Sequence, residues 1–252
     1  MKRIKLTIAY DGTNYCGWQI QPNGITVEEV INRKLSKLLG EEITVIGASR
    51  TDSGVHALGN VAVFDTGTTI PPERLAYALN RTMPEDIVIV NSEEVPADFH
   101  PRYCDCTKTY EYHIINARTV IPTKRLTNYF VSFPLSVEDM REAASYLVGT
   151  HDFVSFCNVR TDVEDTVRTV TGLEILEGNG PDRELTIRIS GTGFLYNMVR
   201  IIAGTLIRVG RGYYPSSKVK EILDAKDRRA AGVTAPAHGL ILVGIDYGEN
   251  IF

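Results

Sequence analysis

Hydrophobic periodicity takes this chain twice through the same succession of elements, strand–helix–strand–strand–helix–strand, and that repeated order limits the folds open to it. Residues 3–10 (Arg3, Ile4, Lys5, Leu6, Thr7, Ile8, Ala9, Tyr10) alternate polar and apolar side chains with period two, the pattern of a half-buried strand. Thr26 with Glu29 three residues on forms a capping box. Ile31, Leu35, Leu38 and Leu39 follow at helical spacing, and Gly40 supplies the stop. Strands are expected at residues 43–47 and 60–66, a second helix from Pro71 and Pro72 through Leu79, and a fourth strand at 87–91.

The order then recurs. Residues 107–115 alternate Tyr110, Tyr112 and Ile114 as a strand, and Ser136 caps a helix carrying Met140, Ala143, Ala144 and Leu147. Strands at 169–176 and 185–190 flank Gly178-Asn179-Gly180-Pro181-Asp182, a hairpin turn. Leu195, Met198, Val199, Ile202 and Leu206 make a helical stripe, a short helix follows at 219–223, and residues 240–247 form the last strand. The expectation is an α+β protein of two ferredoxin-like (βαββαβ) halves, residues 1–103 and 104–252, with a largely antiparallel sheet. Such an element order serves RNA binders, metabolite sensors and enzymes alike, so fold alone leaves function open.

Composition narrows the classes. At 252 residues with 43% apolar and 23% charged content the chain is that of an ordinary globular protein, and no apolar run is long enough to cross a bilayer. The N-terminal residues lack the apolar stretch of a signal peptide, which points to the cytoplasm. Cys104 and Cys106 are spaced C-x-C, which is neither a zinc knuckle nor a redox pair, and the five histidines lie far apart, so no metal site is expected. The net charge of −4 requires that any nucleic acid be met by a segregated basic face.

The segment Ala48-Ser49-Arg50-Thr51-Asp52-Ser53-Gly54-Val55-His56-Ala57 connects the second and third strands. Asp-Ser-Gly by itself reads as a turn, and Asp52, Ser53 and His56 lack the context of a hydrolase triad. The whole string, however, closely resembles the catalytic segment of the TruA family of tRNA pseudouridine synthases. Further landmarks stand in the family's order: Tyr10-Asp11-Gly12-Thr13-Asn14-Tyr15-Cys16-Gly17-Trp18-Gln19, Asp98-Phe99-His100-Pro101-Arg102, Lys108-Thr109-Tyr110-Glu111-Tyr112, Gly193-Phe194-Leu195-Tyr196-Asn197-Met198-Val199-Arg200 and Gly239-Leu240-Ile241-Leu242. The chain departs from the family at Ser49, where many members carry Gly, and at Lys108-Thr109, often more basic elsewhere.

The resemblance implies the pseudouridine synthase fold with its central cleft, and isomerisation of uridine to pseudouridine at positions 38–40 of the tRNA anticodon stem-loop. It assigns Asp52 as catalytic nucleophile or base. Arg50 would contact the displaced nucleotide, Tyr110 would stack on the extruded uracil, Arg200 would keep the carboxylate ionised, and Leu240 would pack near the base. It further implies a homodimer with tRNA as partner, working without metal or organic cofactor. Arg81, Arg102, Lys108, Arg118, Lys124, Arg125, Arg160 and Arg168 are candidates for RNA contact, and the lone Trp18 suits a structural role. Three other readings compete: a synthase with a different RNA target, a non-catalytic RNA-binding module, and a Ser53/His56 hydrolase. The module lacks an aromatic RNP string.

Overall fold

The computed structural model describes residues 1–158, 165–180 and 183–248. Two compact units emerge: Met1–Cys106 together with residues 242–248, and Thr107–Ile241. Residues 242–248 thus group with the first unit, where the chain order alone had placed them in the second half.

The first unit runs β1 (Lys2–Tyr10), α1 (Val27–Leu39), β2 (Ile46–Gly47), β3 (His56–Thr66), α2 (Pro72–Asn80) and β4 (Ile87–Val95). β1 lies between β3 and β4 and is antiparallel to both, and β2 is antiparallel to β3, giving the spatial order 4-1-3-2 of a ferredoxin-like sheet. Helix α1 starts where Thr26 Oγ1 accepts the Glu29 amide, with Glu28 and Glu29 at its positive end, and stops at Gly40, which takes φ 68°. Val30, Ile31 and Leu35 of α1 and Leu75 and Leu79 of α2 are buried, as are Ile4, Leu6 and Ile8 of β1. Each such side chain contributes about 1.5–3 kcal/mol by leaving water. The strand expected over 43–47 shrinks to its last two residues. The amides of Ile43 and Val45 donate instead to Ser36 Oγ and Asn32 Oδ1 of α1, both at 2.9 Å, so they are not available to a sheet.

The second unit contains β5 (Thr107–Ile115), β6 (Tyr129–Phe130), α3 (Val137–Ser145), β7 (Gly149–Asp152), β8 (Val167–Glu177), β9 (Glu184–Gly191), α4 (Met198–Gly210) and α5 (Lys218–Ala225), and β10 (Leu240–Asp246) begins in it. β9 pairs antiparallel with both β5 and β8, β7 is antiparallel to β8, and the two-residue β6 runs parallel to β5. The short β6 and β7 carry too few residues for periodicity to reveal. The turn between β8 and β9 closes with the Gly178 amide on Glu184 O at 2.8 Å, while Pro181 and Asp182 of the expected hairpin lie outside the described residues. Helix α4 starts three residues later than the Leu195 stripe suggests, because Asn197 sits at φ 62° and makes the entry turn. No helix among the described residues is long and apolar enough to cross a membrane.

Candidate active site

In the first unit Asp52 stands in the loop between β2 and β3, half-buried, in a stretch whose backbone is held from several sides. The Trp18 amide donates to Thr51 O at 3.0 Å, the Val55 amide to Asp52 O at 3.1 Å, and Ser53 Oγ to Tyr15 O at 3.2 Å. Gly17 lies so close that a Cβ there would come within 2.6 Å of Thr51 O and 3.1 Å of the Asp52 carbonyl carbon, and its φ of 86° suits glycine alone. Trp18, 1% exposed, packs over Gly47, where a Cβ would overlap the indole. The two landmarks around residues 10–19 and 48–57 are therefore one structural piece, in which the first is the seat of the second. Trp18 has the structural role expected of it.

Below the loop, the Tyr10 hydroxyl and Thr51 Oγ1 share a buried hydrogen bond of 2.7 Å, and Asn60 Nδ2 donates to the same hydroxyl at 3.3 Å and to Ser49 O at 3.0 Å. Removing the hydroxyl with Tyr10→Phe leaves Thr51 without its hydroxyl partner. A loss of about 1–3 kcal/mol is expected in urea unfolding, with the slope on denaturant unchanged; an unchanged midpoint would contradict this anchorage.

His56 is 4% exposed and ends the loop. Its Nδ1 accepts from the Gly12 amide at 3.1 Å and lies 3.0 Å from an Asp11 carboxylate oxygen. Burial alone would raise the Asp11 pKa, but hydrogen bonds from the Thr13 hydroxyl and amide, with His56 beside it, hold it below the usual carboxylate range. His56 is thus tied to the loop's seat, and Ser53 donates to a carbonyl oxygen, so the Ser53/His56 hydrolase reading fails on geometry. Arg50 is exposed two residues before Asp52 and makes no ion pair or hydrogen bond among the described residues.

In the second unit Tyr110 lies on β5 opposite Ile189, half-buried, with its ring meeting the edge of Phe194 at 5.2 Å and 82°. Its neighbour on the same strand face, Tyr112, is fully buried, and its hydroxyl donates to Pro236 O at 2.9 Å. Burial pushes the Tyr112 phenol well above its ordinary pKa, which keeps it a neutral donor. Periodicity alone could not separate these two rings: one is core, the other half-buried.

Arg200 lies in the first turn of α4, half-buried rather than splayed into solvent. Its Nε donates to Ala235 O at 2.8 Å and its Nη1 to Asn197 Oδ1 at 2.8 Å, while its own carbonyl accepts from the Ala235 amide at 3.0 Å. A guanidinium so held is pre-oriented. Leu240 is 6% exposed at the start of β10. The structure places Arg50 and Asp52 together on one loop of the first unit, and Tyr110, Arg200 and Leu240 in the second.

Among the basic candidates, Lys124 is paired with Glu184, and Arg81, Arg102, Arg118 and Arg125 are exposed. Arg168 donates to the carbonyls of Asp165 and Val167, and Arg160 lies outside the described residues. The sequence reading overlooked Tyr10, Gly17, Thr51 and Asn60 as loop supports. For Tyr10, Gly17 and Thr51 the only signal was membership of the landmarks, and Asn60 had none beyond its place in an expected strand, because the contacts span 41 and 50 positions in sequence.

A model of the tRNA pseudouridine synthase family matches residues 6–104 and 143–248. The chain is 49% identical to tRNA pseudouridine synthase A of Thermoanaerobacter sp. (strain X514) over 98% of this chain and 100% of that one. It is 51% identical to the protein of the same name from Ruminiclostridium cellulolyticum, again over 98% and 100%. A chain of an archaeal box H/ACA sRNP complex overlaps 81% of this chain and 44% of its own length at a TM-score of 0.33 and 13% identity, too slight a likeness to carry an argument. The family match over most of the chain and the near-complete overlap with relatives at about half identity show that this chain belongs to the tRNA pseudouridine synthase family.

Proposed function

We propose that the chain isomerises uridine to pseudouridine at positions 38, 39 and 40 of the tRNA anticodon stem-loop, with Asp52 as the catalytic carboxylate. The observation that carries this reading is the loop geometry: a carboxylate of intermediate exposure on a backbone fixed by the Trp18 amide, the close approach of Gly17 and the buried Tyr10–Thr51 hydrogen bond. A fixed backbone limits where the carboxylate can go, and positioning is what a reaction within one bound nucleoside requires. The N1 glycosidic bond breaks, the uracil turns, C5 bonds to C1′ and loses its proton, and N1 gains one. Nothing is oxidised or donated, so the reaction calls for neither metal nor organic cofactor.

Each remaining residue takes one part. Asp52 acts as nucleophile or base on the nucleoside. Arg200, already oriented by Asn197 and Ala235, supplies the positive charge that favours an ionised carboxylate. Arg50, exposed beside Asp52, meets the nucleotide as it leaves the stack, which costs about a few kcal/mol. Tyr110 offers its half-buried ring for the uracil to stack on, and Leu240 contributes apolar surface. The enzyme works in the cytoplasm as a homodimer, with tRNA as its partner.

The test is to incubate the protein with unmodified tRNA transcripts and map pseudouridine by carbodiimide-dependent primer extension. Stops opposite positions 38–40 are expected. Stops confined to other positions would favour a synthase with another target, and RNA binding without any stop would favour the non-catalytic module.

A further inference from the structure

The second unit holds a cavity of about 290 Å³ that none of the roles above uses, with Tyr129, Arg208, Arg211, Tyr213, Ala235 and Pro236 among its lining residues. Its floor is one face of α4, on which Gly204, Ile207 and Arg208 lie at spacings of three and four, followed by Arg211 at the helix C-cap. The segment 232–236 lies directly on that face. The Gly232 amide donates to Thr205 Oγ1 at 2.9 Å, the Ala235 amide to Arg200 O at 3.0 Å, and a Cβ on Gly204 would overlap the Val233 carbonyl oxygen. The segment is therefore seated on the helix mainly through its backbone.

Its chemistry is specific. No carboxylate lines it, and neither Arg208 nor Arg211 forms an ion pair among the described residues. Like charges three residues apart on a helix repel, and the carbonyl end of α4 offsets only part of that. Both guanidiniums are nonetheless held in place. Arg208 Nη1 donates to the Tyr214 hydroxyl at 2.9 Å, and Arg211 stacks over the rings of Phe133 at 4.1 Å and Tyr213 at 4.8 Å. Planar guanidiniums with donors to spare suit the oxygens of a phosphate. The rim adds exposed aromatic surface, Phe133 at 55% and Tyr213 at 66%, on which a base can stack. A volume at the lower end of ligand pockets, near about 300 Å³, takes one nucleotide-sized group and not a large cofactor. A helix-end charge pair kept only for the dipole would account for neither the cavity nor the rim.

We infer that this cavity is a second nucleotide site, which holds one phosphodiester-linked nucleotide of the bound RNA, its phosphate on Arg208 and Arg211 and its base against Tyr213. The inference rests on the RNA substrate proposed above. The occupant sits beside Arg200, because Ala235 both lines the cavity and accepts the Arg200 Nε–H at 2.8 Å.

The test titrates a labelled, unmodified anticodon stem-loop RNA with the full chain across a series of salt concentrations. For the double variant Arg208→Gln/Arg211→Gln, affinity near 0.1 M salt is expected to fall about tenfold or more, and the slope of log affinity on log salt to become shallower by roughly 1. For Tyr213→Leu, a loss of roughly fivefold or more is expected with the slope unchanged, since a stacking contact carries no charge. Unaltered affinity and slope in a double variant that melts cooperatively would overturn the proposal. So would unaltered RNA affinity with a changed oligomeric mass, which would make the cavity an interface between copies of this chain. Should the double variant fail to fold, Tyr213→Leu decides, because its side chain is exposed, and full affinity there is equally fatal. Failure of the substrate reading shows separately, as an unaltered protein that leaves every uridine in the transcripts unchanged.

Discussion

Replacing Asp52 by asparagine is expected to lower pseudouridine formation by about 10⁴-fold, the upper end of what one positioned acid or base supplies, while tRNA affinity stays within about threefold. The substitution keeps the shape of the side chain and removes its charge and basicity. The anchoring bonds through the Thr51 and Asp52 carbonyls and the Thr51 hydroxyl are retained in the variant. Circular dichroism and a cooperative melt should therefore show a folded protein. The readout is single-turnover conversion of transcript uridines, scored by primer extension, beside filter binding of the same RNA. Turnover within tenfold of the parent would remove Asp52 from the chemistry. A parallel collapse of RNA binding would instead make it a substrate-gripping residue.

The second large effect should come from a residue that touches no substrate. Gly12 packs against the end of the Asp52 loop: a Cβ there would overlap the Val55 carbonyl oxygen and stand 2.7 Å from the Val55 carbonyl carbon, and its amide donates to His56 Nδ1. The obstructing atoms are backbone, so they cannot swing away. Gly12→Ala is expected to destabilise the protein by about 1–3 kcal/mol, a fall in melting temperature of roughly 3–10 °C. Displacing the loop that carries Asp52 by about 1 Å should also cost on the order of 10²-fold in turnover. Gly172→Ala is the control, since open space surrounds that position, and its effect should stay within about 0.5 kcal/mol. A Gly12→Ala protein that melts and turns over like the parent would show that the contact does not hold the loop.

Periodicity located most long elements because their burial is local. β5 begins and ends where alternation predicts, and the Thr26 cap and Gly40 stop bound α1. It failed where backbone donors were diverted, as at residues 43–45, and where a strand consists of two residues with no period to show. At the candidate site, residue identity was legible from the landmarks, but setting was not. Tyr110 and Tyr112 share a strand face and a residue type, and only packing made one a buried donor to Pro236 and left the other half-open beside Phe194. The charge of Arg200 was visible in sequence. Its fixation by Asn197 and Ala235 was not, because one partner lies 35 residues away.

By itself, the order of residues determined where most long strands and helices form, since periodicity, capping and turn preferences act over a few neighbours, and its landmarks named the residues proposed for the chemistry. Tertiary structure alone decided that residues 10–18 form the seat of the Asp52 loop, that His56 is an anchor and no partner of Ser53, and that two arginines near the end of α4 line a cavity. These depend on contacts between distant segments, whose approach is set by the packing of backbone on backbone at Gly12, Gly17 and Gly204.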